Sequence, residues 1–347
     1  MSCKNNRNIY KAVPLLVLAA AFLAASLLPG PNAKPAVTAP VDSSPVSSSS
    51  SQKKDFIKYV EFNVPYITLK KTMDIDIQSH REGGSISWID ILAYLGAKYG
   101  GNFKLYKSAD VDTFINKLKT KSVSEITSGM KYFPYFHEAY SAVLSGLLGK
   151  YRKDGKDEYG LIGFSPIAKT FPYSGCDDFG VKRTYGYTRP HLGHDMMAAT
   201  GTPVIAVESG FVEALGWNQY GGWRIGIRSF DRKRYYYYAH LRQNRPYAAG
   251  LAAGKTVHAG DVIGYVGRTG YSSKENVNNI KTSHLHFGLQ LIFDESQKEC
   301  NNEIWINAYP LTQLLRQNQS EVVRNNETKE YTRAGNIEIE LPDEPSQ

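Results

Sequence analysis

The sequence predicts an α+β chain of more than one domain: a small helical region, then a mainly antiparallel β domain, built as a sheet or sandwich with a groove. Three observations predict it. Between about residues 55 and 150, apolar side chains recur at i, i+3, i+4 and i+7, the period of an amphipathic helix. From about Tyr159 onward the chain turns to short runs rich in β-branched and aromatic residues, separated by Gly, Asn and Asp. Its 347 residues are enough for about two domains, each with its own core.

At the N-terminus, Lys4, Arg7 and Lys11 precede an unbroken neutral run from Ala12 to Leu28, which meets Pro29-Gly30. Cations ahead of hydrocarbon predict a cytoplasmic stub and an exported remainder. Residues 1–30 are therefore expected to be a transmembrane anchor or a signal peptide. Pro31-Asn32-Ala33 is a poor cleavage signal, which favours a single-pass protein of the cell membrane with its C-terminal part outside; secretion after cleavage is the alternative. Residues 31–54 are rich in Ser, Pro, Ala and Val and read as a flexible tether. Cys3 lies ahead of the apolar run. Cys176 and Cys300 either pair in the oxidising exterior or remain two buried thiols. The formal charge of +8 is a mild basic excess, which suits a polyanionic wall or lipid surface and equally suits plain solubility. The cations are scattered and no nucleic-acid module is present, so no nucleic-acid partner is expected.

In the helical region, residues 55–150, Trp88, Ile91, Leu92 and Leu95 form one stripe, with Ser87 and Asp90 placed as a capping box and Gly100-Gly101 as a stop. Val111, Phe114, Ile115 and Leu118 form a second. Phe136, Tyr140, Val143, Leu144 and Leu147 form a third, expected to end at Gly149. These stripes read as core-packing faces with no chemistry of their own. His137-Glu138 opens an H-E-x-x-H pattern, but Ser141 stands where the second histidine is needed.

Strands are expected at Pro203 to Val207, Gly210 to Trp217, Trp223 to Ser229 and Arg234 to Leu241. Two more are expected within Val257 to Gly270, around Ala259-Gly260-Asp261. With no helices between them they suggest antiparallel pairing. A short helix from Leu311 to Arg316 closes the domain, and residues 319–347 read as a loose polar tail.

Five of the eight histidines and one aspartate fall in three motifs: R-P-H-L-G-H-D (Arg189 to Asp195), Y-A-H-L (Tyr238 to Leu241) and S-H-L-H-F (Ser283 to Phe287). In a strand, alternate side chains share a face, so His284 and His286 project together while Leu285 and Phe287 enter the core. Pro190 and Gly193 disfavour a helix, which places the first motif on a loop leading into a strand. A hydrolytic zinc site needs three protein ligands, one open position and nearby groups to move protons. The three motifs hold enough imidazole and carboxylate for both jobs.

Taken together, R-P-H-L-G-H-D-M-M-A-A-T-G-T-P-V-I-A, then Y-A-H-L, then H-A-G-D-V-I-G-Y-V-G-R-T-G and H-L-H-F closely resemble the lysostaphin-type (LytM-like) zinc metallopeptidases that cut bacterial peptidoglycan. The resemblance runs from about Tyr159 to Leu315 and implies a zinc metallopeptidase domain over 159–318. By position, it implies that His191, Asp195 and His286 hold one Zn²⁺ per chain and that His240 and His284 are the catalytic pair. It implies hydrolysis of stem peptides or cross-bridges by metal-activated water, with peptidoglycan as the partner. Tyr185 and Tyr187 are candidate oxyanion donors by analogy with the family's tyrosine, or else packing tyrosines. His194 should point away from the metal, and His258 is a turn residue. Two departures stand out. The stretch Tyr271 to Ser283 is longer than the family's usual turn and should form a loop beside the groove, and Gly288 replaces the acidic residue often found after H-L-H-F. A catalytically silent scaffold or wall-binding protein of the same fold, in a division or sporulation complex, is the alternative.

Overall fold

The computed structural model describes residues 56–298, 302–335 and 337–340. The expected anchor, the tether and Cys300 lie outside the described residues.

The described residues open with five α-helices: α1 (Tyr66–Arg81), α2 (Trp88–Tyr99), α3 (Ser108–Leu118), α4 (Val123–Thr127) and α5 (Phe133–Leu144). α2 follows its sequence signals closely. Trp88, Ile91, Leu92 and Leu95 are buried, the Ser87 side chain accepts from the Ile89 N–H, and Gly100 ends the helix in the left-handed region that glycine adopts without strain. The capping box does not form, because the Asp90 carboxylate instead faces His137 Nε2 on α5 at 3.1 Å. α5 ends at Leu144, before the expected stop. Gly149 lies within a strand that begins at Leu148.

α1 carries no clear apolar stripe, yet it is buried on one face. Four of its six buried residues are polar: Thr68, Thr72, Asp76 and Ser79. Asp76 is satisfied from outside its helix, accepting from the Trp88 N–H at 2.8 Å and the Tyr159 hydroxyl at 2.9 Å. Partners distant in sequence thus make a polar face buriable.

The hairpin of β1 (Leu148–Lys153) and β2 (Lys156–Leu161) follows. Then come β3 (Tyr173–Ser174), β4 (Lys182–Tyr185), β5 (Tyr187–Pro190), β6 (His194–Ala198), β7 (Pro203–Ile205), β8 (Gly210–Asn218), β9 (Gly222–Ser229) and β10 (Arg234–Ala239). β11 (Thr256–Val257), β12 (Val262–Tyr265), β13 (His284–Leu291) and β14 (Ile304–Ile306) complete the main β region. The principal sheet has eight strands, in the order β11-β8-β9-β10-β13-β6-β3 with β14 also on β13, and its pairs are antiparallel. Along β10 the pleat sends Tyr236 and Tyr238 into the core and leaves Tyr235 and Tyr237 lining a cleft on the other face.

α6 (Tyr309–Leu315) starts two residues earlier than the expected Leu311, with Pro310 in its first turn, where a missing N–H costs nothing. The segment expected to be a loose tail carries β15 (Val322–Arg324) and β16 (Tyr331–Arg333), which pair, and β17 (Ile337–Ile339), which pairs with β1. Three-residue strands show too little alternation to be seen in sequence. Contacts such as Tyr331 N–H to the Tyr265 hydroxyl at 2.9 Å hold them.

The helices and the sheet share one continuous apolar core, and residues 150–159 lie within the β1–β2 hairpin. An ion cluster centred on a buried arginine joins the two parts. Arg234, 2% exposed, donates to both Glu208 oxygens at 2.7 and 2.9 Å, to Asp231 at 2.8 Å and to the Ala142 carbonyl of α5 at 2.9 Å. A Cβ on Gly146 would overlap the Glu208 carboxylate, which accounts for glycine there.

Candidate metal centre

Register builds the site. In the β6–β13 pair His286 lies opposite Asp195 and Phe287 opposite His194, so the two polar residues share the cleft face. His191 sits on the loop just before β6, fixed by its N–H to the Val181 carbonyl at 2.9 Å. Gly193 lets the loop approach β13, since a Cβ there would stand 2.6 Å from His286 Cε1 and 2.7 Å from the Phe287 carbonyl.

Three donor atoms converge. His191 Nε2 is 2.9 Å from Asp195 Oδ1 and 3.0 Å from His286 Nδ1, and His286 Nδ1 is 3.0 Å from the same Asp195 oxygen. The group is one that can hold a metal ion. The chemistry of the donor set fits zinc: two imidazole nitrogens and a carboxylate oxygen on one point. His191 Nδ1 faces Asp178 Oδ1 at 3.1 Å. A carboxylate only accepts, so Nδ1 carries the proton and Nε2 presents its lone pair to the centre, the usual support for a metal-binding histidine. Arg183 contacts Asp178 closely and Asp195 Oδ2 at 3.2 Å. Two carboxylates against one guanidinium leave a net negative charge that a cation completes.

The same contacts set how these groups titrate. Burial disfavours the charged form of His191, but its bonds to Asp178 and Asp195 win and push it up to about 9. Burial likewise opposes ionisation of Asp195, and the bonds from His191 and His286 overcome it, holding that carboxyl far below the usual range. His286 is pushed down by burial, against the pull of Asp195.

Beside this triangle stand His240 and His284, their rings 4.8 Å apart. His240 Nδ1 is 2.9 Å from the Thr269 carbonyl, and His284 Nδ1 is 2.8 Å from the Thr282 carbonyl. Carbonyls only accept, so both Nδ1 atoms donate and both Nε2 atoms are left as bases. His284 Nε2 lies 3.7 Å from Asp195 Oδ1. Burial, reinforced by His284 and His286, drives His240 well below its usual value and keeps it neutral. Its backbone is left-handed, φ +61°, a conformation a non-glycine residue adopts at a cost of about 1–3 kcal/mol. Bonds from its N–H to the Gly221 carbonyl (2.7 Å) and from the Gly267 N–H to its own carbonyl (3.0 Å) impose it.

The remaining candidates divide. His194 faces away from the centre, buried rather than exposed: its Nδ1 meets the Thr312 hydroxyl of α6 at 2.8 Å, and burial lowers it to about 4. His258 is a turn residue beside Asp261. Tyr185 stacks on Tyr271 at 4.9 Å, and Tyr187 packs edge-on to Tyr220 at 6.0 Å; both sit in an aromatic cluster at the cleft. Cys176 is disulfide-bonded. The long stretch after Tyr271 is tied down beside the cleft: Asn276 Oδ1 accepts from Trp223 Nε1 at 2.9 Å and the Asn244 N–H at 2.8 Å, and Asn279 donates to the Tyr271 carbonyl at 2.6 Å. Gly288 has a packing reason, since a Cβ would come within 2.7 Å of the Trp305 ring. Asp178, Arg183, Thr269 and Thr282 were not legible beforehand, because no spacing rule links a loop acid or a main-chain carbonyl to an imidazole, or a guanidinium to the two acids it meets.

His191, Asp195, His286 and His240 line a cleft of about 680 Å³. Residues 189–300 match peptidase family M23. Over 205 residues the chain is 32% identical to the L-Ala–D-Glu endopeptidase of Bacillus subtilis, a match covering 58% of this chain and 61% of that one. Lysostaphin of Staphylococcus simulans is 37% identical over 98 residues, 28% of this chain and 17% of its own. A crystal structure from Ruminococcus gnavus, assigned as a glycyl-glycine endopeptidase of the LytM kind, matches with a TM-score of 0.50 at 25% identity. It covers 73% of this chain and 87% of its own, so the likeness extends beyond the residues that match the family. The chain thus spans less than two thirds of the curated relatives it matches.

Proposed function

We propose that this chain is a zinc-dependent endopeptidase that hydrolyses peptide bonds of peptidoglycan outside the cytoplasmic membrane. The observation that carries the proposal is the convergence of His191, Asp195 and His286 beside two imidazoles whose Nδ1 atoms are committed to carbonyls. The M23 relatives include an L-Ala–D-Glu endopeptidase and lysostaphin, which supports the substrate class.

His191 Nε2, Asp195 Oδ1 and His286 Nδ1 would hold the ion. When bound there, zinc supplies Lewis acidity towards the scissile carbonyl and the attacking water. The protein's own residues do the rest. Asp178 and Arg183 orient His191 and Asp195. One imidazole of the His240–His284 pair takes the proton of the attacking water at its Nε2 and returns it to the departing amine; while protonated, that ring also stabilises the developing oxyanion. No covalent intermediate on the enzyme is needed.

For location, the cation-flanked run Ala12 to Leu28 supports a membrane anchor, and the disulfide at Cys176 suits an oxidising exterior. Among the described residues no helix is long and apolar enough to cross a membrane.

Metal analysis and dye release from purified cell walls test the reading. About one zinc per chain, with release abolished by a chelator and restored by zinc, is the expected result. Walls left intact by the zinc-loaded chain would sink it.

A further inference from the structure

The cleft holds a second charged feature that the hydrolytic chemistry leaves unused. Arg189, on β5, lies 4.7 Å over the Tyr220 ring, 5.3 Å from that of Tyr271 and 5.9 Å from that of Tyr187. Among the described residues no carboxylate lies within ion-pair reach of it, and its Nη1 is buried without a hydrogen-bond partner. The neighbouring Arg183 differs, being committed to Asp178 and Asp195. Aromatic faces hold a guanidinium by its charge but leave its N–H donors unmatched. A buried charged donor without an acceptor is costly, so this arrangement is half of a binding site.

Its position says what the other half is. Tyr271 bridges Arg189 to the reaction centre: its ring is 5.7 Å from that of His240. Arg189, Tyr187, Tyr220 and Tyr271 line the same cleft as the three converging donors. A planar fork of N–H donors matches a carboxylate, and a ligand there lies close to the bond being cut. We propose that Arg189, boxed by Tyr187, Tyr220 and Tyr271, binds a free carboxylate on the residue next to the scissile bond. The preferred substrate is therefore an acidic stem peptide and not a neutral glycine bridge, whose backbone amides offer no anion. Tyr271 opens the long stretch before H-L-H-F, so that loop contributes directly to selectivity. This proposal rests on the peptidase reading above.

The test compares kcat/KM of the zinc-loaded full chain on a synthetic stem peptide with its carboxylate free, on the same peptide with that carboxylate amidated, and on pentaglycine. Amidation is expected to lower kcat/KM roughly 10- to 100-fold, the range for losing a charge-assisted contact, with pentaglycine at least as poor. Arg189→Gln is expected to cleave the acid and the amide alike, while Arg189→Lys keeps part of the preference; zinc content and circular dichroism report whether each variant is intact. Equal cleavage of acid and amide by the wild type overturns the proposal and leaves the peptidase reading standing. So does an Arg189→Gln variant slowed equally on both. Cleavage of no peptide at all by the zinc-loaded wild type overturns the peptidase reading and this proposal with it.

Discussion

Two ion clusters in this molecule have the same complement of one arginine and two acids and opposite outcomes. At the junction of helices and sheet, Glu208 and Asp231 surround Arg234; in the cleft, Asp178 and Asp195 flank Arg183. Arg234 uses Nε, Nη1 and Nη2, saturating both Glu208 oxygens, Asp231 and a helix carbonyl, while Tyr236 adds a further bond to Glu208 at 2.6 Å. Arg183 reaches its two acids through a single nitrogen, leaving Asp195 Oδ1 to face imidazoles at 2.9, 3.0 and 3.7 Å. The first cluster is closed and joins two parts of the fold. The second is open and invites a cation. Charge count does not separate structure from function; the unfilled side does.

The sharpest break in the comparison comes at the open cluster. His191→Ala or His286→Ala is expected to lose bound zinc and to lower wall hydrolysis by more than roughly 1000-fold, since a Lewis acid supplies several kcal/mol; metal content and dye release read it. His284→Ala should keep the metal and lose about 100- to 10,000-fold in turnover, the range for a general acid–base group. Equal zinc loss in His284→Ala and His286→Ala would show the division between ligand and base to be wrong. At the closed cluster, Glu208→Ala leaves Arg234 buried with its main partner removed, and should cost about 3–5 kcal/mol in urea unfolding while the folded fraction still binds zinc. The smallest effect belongs to Asp178→Asn, which weakens the support of His191 without removing a ligand. Chelator competition should show zinc affinity down roughly 10- to 100-fold with the unfolding midpoint nearly unchanged.

Legibility followed locality. The buried faces of α2, α3 and α5 showed in the sequence because their burial is apolar and periodic. α1 did not, because Thr68, Thr72, Asp76 and Ser79 are buriable only once Trp88 and Tyr159 supply partners. The terminal strands β15, β16 and β17 were too short to display alternation. At the site, the three histidine motifs were visible by spacing. Asp178, Arg183 and the Thr269 and Thr282 carbonyls were not, since no local period encodes the contacts of Asp178 and the two carbonyls with imidazoles or of Arg183 with Asp178 and Asp195.

What the sequence determined alone is the stock of imidazoles and carboxylate and the sharing of one strand face by His284 and His286, because the pleat repeats every two residues. Tertiary structure decided what each of them does. The register of β6 against β13 set His286 opposite Asp195. The acceptor beside each ring then selected its free nitrogen: Asp178 leaves Nε2 of His191 for a metal, while two carbonyls leave Nε2 of His240 and His284 as bases. A tautomer is set by whichever group lies at hydrogen-bond distance, and here Asp178 and the Thr269 carbonyl reach their rings only when the chain folds.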